Sequence, residues 1–337
     1  LKIDFLRNNF PWNISFRLTE ARYGDIVKGN VYLAIEEAFR VKKGRLDWKL
    51  PAILLLALLL LLEIADTYRL ARSGDGCAPP VMMYHHFDDT SKDGTVVTPD
   101  RFREQMTALR EAGYQAVTVP QVIGYVREGT PLPEKPVLIT MDDGYGSNLT
   151  VAAPILEETG MRATIFTIGI NEGEEYYAHS GEPMWQHRFA FEEAAPWVEK
   201  GIIDVQSHTF DMHQLESYGY SGRDGVRRMR GESPEDYRQA LLDDAAAFRE
   251  RRGDRVATEL LALAYPFGYY DMEADKIMRE AGYQLTVTID ERINRLRAGD
   301  EECLRMLGRF NVTDHISGEA LVDRLDHYFP DLSESKK

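Results

Sequence analysis

The chain has 337 residues, of which 44% are hydrophobic and 28% charged. This balance excludes wholesale disorder and suits one domain of roughly 250 residues with added sequence, or two small domains. With 40 basic and 55 acidic residues the formal charge is −15, which argues against nucleic acid as a partner because phosphate binding needs a basic face.

Residues 1–40 carry no export signature, and no Met precedes Met82. Val41-Lys42-Lys43 resembles the basic start of an export signal. The natural chain is therefore expected to begin there from a non-standard start codon, or the sequence to be a fragment. Residues 50–62 read LPAILLLALLLLL and extend to 65 if Glu63 is accepted. The run has no polar stripe, so a membrane segment fits better than a core helix. It is short of the ~20 residues of a full span and matches the ~7–15 residues of a signal core. Lys42, Lys43, Arg45 and Lys49 precede it, and Asp66, Arg69, Arg72 and Asp75 follow. The positive-inside rule places the N-terminus in the cytoplasm and everything after Asp66 outside. No A-x-A cleavage site is present, so an uncleaved anchor is expected, with a cleaved and secreted form as the alternative. The divisions are 1–49 (uncertain), 50–65 (membrane segment), 66–79 (linker) and 80–332 (folded domain).

From residue 81 strand-like and helix-like stretches alternate. Residues 81–87 read as a strand. Thr98-Pro99-Asp100 starts a helix, with Thr as N-cap, Pro in the first turn and an acid behind it, and the helix stops near Gly113. Further strands are predicted at 116–119, 137–141, 163–168, 202–206, 260–265, 285–289 and 307–312. Helices are predicted at 121–127, 151–158, 193–200, from Ser233 to about 251, 272–281 and 318–328. Such alternation predicts a parallel α/β sheet, open or closed into a barrel. Residues 171–191 and 216–232 break the rhythm as long polar loops, which in compact domains are often functional.

In parallel α/β folds the chemistry gathers beyond the carboxyl ends of strands, and the unusual residues fall there. His85 and His86 end the first strand, Asp142 and Asp143 another, His208 a third with His213 in the loop after it, and Tyr265-Pro266-Phe267-Gly268 a fourth. Adjacent carboxylates repel unless a cation or hydrogen bonds compensate. Strand alternation points such neighbours in different directions, so one can ligate a metal while the other faces the reacting atom. Two histidines and one Asp make a usual catalytic zinc set. The plainer reading of each motif alone is structural: Asp-Asp-Gly as a turn, and a lone histidine as a satisfied hydrogen-bonding group. The two cysteines, Cys77 and Cys303, are too few for a disulfide framework or a CxxC metal site, and their pairing stays open.

Thr140-Met141-Asp142-Asp143-Gly144, Ser207-His208-Thr209-Phe210-Asp211-Met212-His213 and Tyr265-Pro266-Phe267-Gly268 together resemble, in order, three motifs of the polysaccharide deacetylases of the NodB-homology group (carbohydrate esterase family 4). The resemblance covers roughly residues 80–332. This chain departs from the common pattern in three places. Its histidines are five apart where four is usual. Ala264 stands where the third motif carries Arg. The late motif, an apolar run ending in His, is replaced by Gly308-Arg309-Phe310-Asn311-Val312. The deacetylases of poly-β-1,6-N-acetylglucosamine, a biofilm exopolysaccharide, share these departures and open with a strand ending in Tyr-His, here Tyr84-His85.

That resemblance implies a distorted (β/α) barrel of about seven strands and a metal-dependent hydrolase that releases acetate from N-acetylglucosamine polymers. It assigns the metal to Asp143, His208 and His213. Zinc is favoured, and cobalt, nickel or iron are compatible with the donors. It makes Asp142 the general base, His85 the acid that protonates the leaving amine, with His86 as rival, and the Phe267 N–H a donor to the oxyanion. Tyr265 and Pro266 flank that donor on the substrate side. Trp185 and Tyr265 are candidates for stacking on sugar rings, against plain packing, and Thr209 and Asp211 for orienting the ligands. An acetylated polysaccharide and, through residues 50–65, a membrane are the implied partners. The competing readings are deacetylation of peptidoglycan or chitin-like oligomers, an inactive sugar-binding module and an unrelated metallohydrolase.

Overall fold

A computed structural model of the chain describes residues 77–90 and 94–328. The apolar run at 50–65 and everything before it lie outside the described residues, as does most of the linker. Among the described residues no helix is long and apolar enough to cross a membrane.

In chain order the elements are β1 (Val81–Tyr84), β2 (His86–Phe87), β3 (Val96–Val97), α1 (Pro99–Glu111), β4 (Gln115–Ala116), α2 (Val119–Glu128), β5 (Pro136–Asp143), α3 (Ala153–Thr159), β6 (Ala163–Thr167), α4 (Phe191–Glu199), β7 (Ile203–Ser207), α5 (Pro234–Arg252), β8 (Ala262–Ala264), α6 (Met272–Glu280), β9 (Leu285–Val287), β10 (Phe310–Asn311) and α7 (Gly318–Tyr328). Helix starts follow their local signals. The side chains of Thr98, Thr118 and Ser233 accept the N–H of Arg101, Gln121 and Asp236, each with a Pro in the first turn, which satisfies donors that a helix leaves unpaired.

The strands pair in the order β10-β1-β5-β6-β7-β8-β9, with β4 added to β5, and every pairing is parallel. Leu307 also bridges Val287 of β9 in parallel, while Phe310 pairs with Met82 of β1. The stretch 307–311 thus touches both β1 and β9 and brings the seven-stranded sheet round as a barrel. One expectation is corrected. The run 81–87 is not one strand: β1 ends at Tyr84, and His86–Phe87 leaves the barrel to pair with Val96–Val97. His85 sits at that break.

Alternation along β5 sorts the interior. Val137, Ile139 and Met141 pack with Phe102, Met106 and Leu109 of α1 in one core. Leu138 faces the other way, into a second core with Val81, Phe166, Ala262, Ala264, Val287 and the apolar side of α2. At ~25 cal/mol per Å² such two-sided burial of the strands is the main favourable term in the fold. Thr140 and Asp142 continue the Leu138 side, inside the barrel.

The polar segment 171–191 is tied to the barrel at its start. Glu172 is buried, accepts the Phe191 N–H at 2.6 Å and pairs with Arg251 and Arg255 at 2.9 and 3.3 Å. Cys77 and Cys303 are both free. Cys77 exchanges backbone hydrogen bonds with Leu296, whereas the Cys303 sulfur accepts the N–H of Arg297.

Candidate active site

Asp142 and Asp143 end β5 at the carboxyl mouth of the barrel. Asp143 has a φ of 72° and Gly144 a φ of 69°, so the chain turns sharply as soon as the carboxylates have been presented. The turn needs glycine twice over: its left-handed backbone suits Gly, and a Cβ there would lie 3.0 Å from Thr167 Cγ2.

His208 follows β7, and His213 lies in the loop beyond. Their Nε2 atoms stand 3.6 and 3.3 Å from Asp143 Oδ1. One ligand atom from each of the three residues fits within 4.8 Å of the others. The Nδ1–H of His208 donates to the Ala264 carbonyl at 2.8 Å, which leaves Nε2 as the lone-pair nitrogen facing Asp143. Burial pushes the His208 imidazole down to about 4, so it is neutral at physiological pH. Burial alone would raise the Asp143 carboxyl, but the charges of His213 and Arg188 outweigh it and hold the group well below the usual range. Asp143 Oδ1 is nevertheless buried without a hydrogen-bond partner. An unpartnered anionic oxygen facing two imidazole nitrogens fits a divalent cation.

Asp142 points into the barrel and meets Arg309. Nη1 and Nη2 of Arg309 donate to Oδ1 and Oδ2 of Asp142, each at 2.7 Å. Arg309 is fully buried, and its Nε donates to the Thr288 carbonyl at 2.8 Å. Burial by itself would raise the Asp142 carboxyl, but Arg309 and then His208 bring it below its ordinary value. The site therefore holds an ionised, oriented carboxylate beside the Asp143–His208–His213 cluster.

His85 is half-buried at the break after β1. Its backbone carbonyl accepts from Asn148 Nδ2 at 2.7 Å, and its Nδ1 is buried without a hydrogen-bond partner. His86 is engaged elsewhere: Nδ1 meets Ser147 Oγ at 2.8 Å, and the ring packs against Tyr145 and Trp185. Phe267 takes a φ of 55° and lays its ring 4.2 Å from that of His213.

The polysaccharide deacetylase profile matches residues 129–286, the stretch that carries all three motifs. The chain contains a polysaccharide deacetylase domain. A Bacillus subtilis protein described as a polysaccharide deacetylase, YxkH, is 28% identical over 241 residues, covering 72% of this chain and 74% of that protein. The poly-beta-1,6-N-acetyl-D-glucosamine N-deacetylase of Escherichia coli K12 is 26% identical over 224 residues, 62% of this chain. The aligned part is 33% of the E. coli protein's length. Among solved structures, a de-N-acetylase from Aggregatibacter actinomycetemcomitans superposes with a TM-score of 0.61 at 19% identity, covering 73% of this chain and 99% of that one. IcaB from Ammonifex degensii does so with a TM-score of 0.58 at 24% identity, covering 74% and 97%. These two likenesses concern the fold.

In the deacetylase domain two sequence expectations change. Tyr265 is not a sugar platform: it is fully buried, and its hydroxyl donates to Asp275 Oδ1 at 2.7 Å. Pro266 is buried beside it. Trp185, by contrast, is 59% exposed and stands edge-on to His86 and Tyr145. Thr209 Oγ1 accepts the Met212 N–H at 3.2 Å, and Asp211 Oδ1 meets His179 Nε2 at 2.7 Å, so neither of these hydrogen bonds goes to a histidine of the cluster. Arg309 is the residue that sequence reasoning missed. It answers what orients Asp142 when Ala264 replaces the motif arginine. The one available signal was an Arg in the replaced late motif. Arg188 was missed as well. It is buried, its guanidinium lies 3.5 Å over the Tyr145 ring, and its backbone bridges Tyr145 just beyond Asp143.

Proposed function

We propose that this deacetylase is metal-dependent and hydrolyses N-acetyl groups of an extracellular poly-β-1,6-N-acetylglucosamine, with the apolar run at 50–65 anchoring it to the membrane. The observation that carries the reading is the buried, unpartnered Asp143 Oδ1 facing His208 and His213, beside an Asp142 held ionised by Arg309. The choice of polymer rests on the names of the relatives and on the shared motif departures.

Asp143, His208 and His213 would hold the cation, which supplies Lewis-acid polarisation of the acetamide carbonyl. Asp142 accepts the proton of the attacking water, and Arg309 keeps both carboxylate oxygens oriented as it does so. The Phe267 N–H supports the developing oxyanion. His85 donates a proton to the departing amine nitrogen, so that acetate and a free amino sugar leave.

The test is acetate release from poly-β-1,6-N-acetylglucosamine oligomers by the purified full chain, with chelator and with zinc or cobalt restored. Chelator-sensitive release that is lost in Asp142→Asn and His85→Ala supports the reading. Release from peptidoglycan or chitin oligomers alone would move the substrate. No release from any of them, with sugar binding retained, would favour a binding module.

A further inference from the structure

The loop between His208 and His213 is held from two sides by residues outside every motif. On one side the N–H groups of Gly169 and Ile170 donate to the carbonyls of Thr209 and Phe210 at 3.0 and 2.8 Å. The fit there is tight, since a Cβ on Gly169 would lie 2.7 Å from the Phe210 ring and 3.1 Å from its Cα. On the other side Asp244, buried on α5, spends both carboxylate oxygens on the same loop. Oδ2 accepts the Phe210 N–H at 2.9 Å, and Oδ1 accepts the Asp211 N–H at 2.8 Å. Thr209 meanwhile has a φ of 71°, a left-handed turn that a threonine adopts only under constraint.

The loop therefore owes its path to partners in α5 and after β6 as well as to its own Thr209–Met212 hydrogen bond. A helix places two histidines four apart on one face without help. Histidines five apart on a loop need an external support to converge. Carboxylate hydrogen bonds to backbone N–H are among the stronger ones, and this pair grips two successive peptides between the histidines.

We propose that Asp244 is a positioning residue for the metal cluster: by clamping the 210–211 peptides it sets the approach of His213 to His208 and Asp143, and so the tightness of divalent-cation binding. The proposal rests on reading that cluster as a metal site.

The probe is zinc alone, titrated into metal-stripped full-length protein against a chromophoric chelator, with His208→Ala as the control for loss of the cluster. Asp244→Asn keeps the shape but turns an amide toward one N–H. It is expected to weaken zinc about 10-fold, and Asp244→Ala about 100-fold, the range for groups that orient metal ligands. Far-UV circular dichroism and urea unfolding of the metal-free proteins are compared in parallel. If the Ala variant does not fold, the isosteric Asn variant decides. Wild-type zinc affinity in Asp244→Asn, with binding lost in His208→Ala, overturns the proposal. Equal binding by wild type and His208→Ala overturns the metal reading itself, and the proposal with it.

Discussion

Arg309 and Asp142 form a buried, two-pronged ion pair across 167 positions of sequence. It couples the stretch 307–311, which meets β1 and β9, to the carboxylate that ends β5. The adjacent Asp143 is left to the histidines. Burial disfavours the charge on both neighbouring acids, and Arg309 beside Asp142 and His213 with Arg188 beside Asp143 offset it.

Removing one partner of such a pair strands a buried charge. Arg309→Met should cost about 3–5 kcal/mol of stability, read by urea unfolding. Arg309→Lys keeps the charge but loses the fork. It should stay folded and lose on the order of 100-fold in kcat/KM, because the carboxylate is no longer held in one orientation. Wild-type kcat/KM in Arg309→Lys would remove the orienting role.

The pH profile follows from the same pair. Arg309 lowers the Asp142 carboxyl, so weakening the pair should raise it. The acidic limb of kcat/KM should then move to higher pH in Arg309→Lys. An unmoved limb would mean that another group controls it.

His208 carries its own pH signature. Its folded-state imidazole lies near 4, below the ordinary 6.5. Between those values the unfolded chain binds more protons, so stability contributed by the neutral ring is complete above pH 6.5 and is lost as pH falls toward 4. In metal-free protein, wild type should lose on the order of 3 kcal/mol more than His208→Asn over that window. Equal acid sensitivity would contradict the assignment.

Tyr265 and Trp185 should separate cleanly. Tyr265→Phe removes a buried hydrogen bond to Asp275 and should cost about 1–3 kcal/mol of stability with KM on the oligomer unchanged. Trp185→Ala should leave stability within about 0.5 kcal/mol and raise KM several-fold, as expected for loss of an exposed ring that sugars can stack on. The reverse pattern would return Tyr265 to the substrate side.

Much of the domain was legible from local signals. Thr98 and Ser233 mark helix starts because an N-cap acts within three residues. Apolar runs mark β5, β6 and β7 because parallel strands are covered on both faces. Asp142, Asp143, His208 and His213 were readable because each sits at a strand end or in the loop that follows, next to residues that recur as a motif. The break at His85 was not, because whether an apolar run stays in one sheet depends on which neighbour its edge finds. Burial of Tyr265 and exposure of Trp185 were equally undecided, since an aromatic ring serves a core or a surface with the same local pattern.

What the sequence determined by itself was the parallel α/β alternation and the cast of acids and histidines, since both are written in spacings of a few residues. What only the tertiary structure decided was the pairing of those groups: Arg309 with Asp142, Asp244 with the 210–211 peptides, and His208 with the Ala264 carbonyl. These contacts span 33 to 167 positions. Electrostatic and hydrogen-bond complementarity over such separations is set by how the barrel closes, and closure depends on packing of the whole chain rather than on any one segment of it.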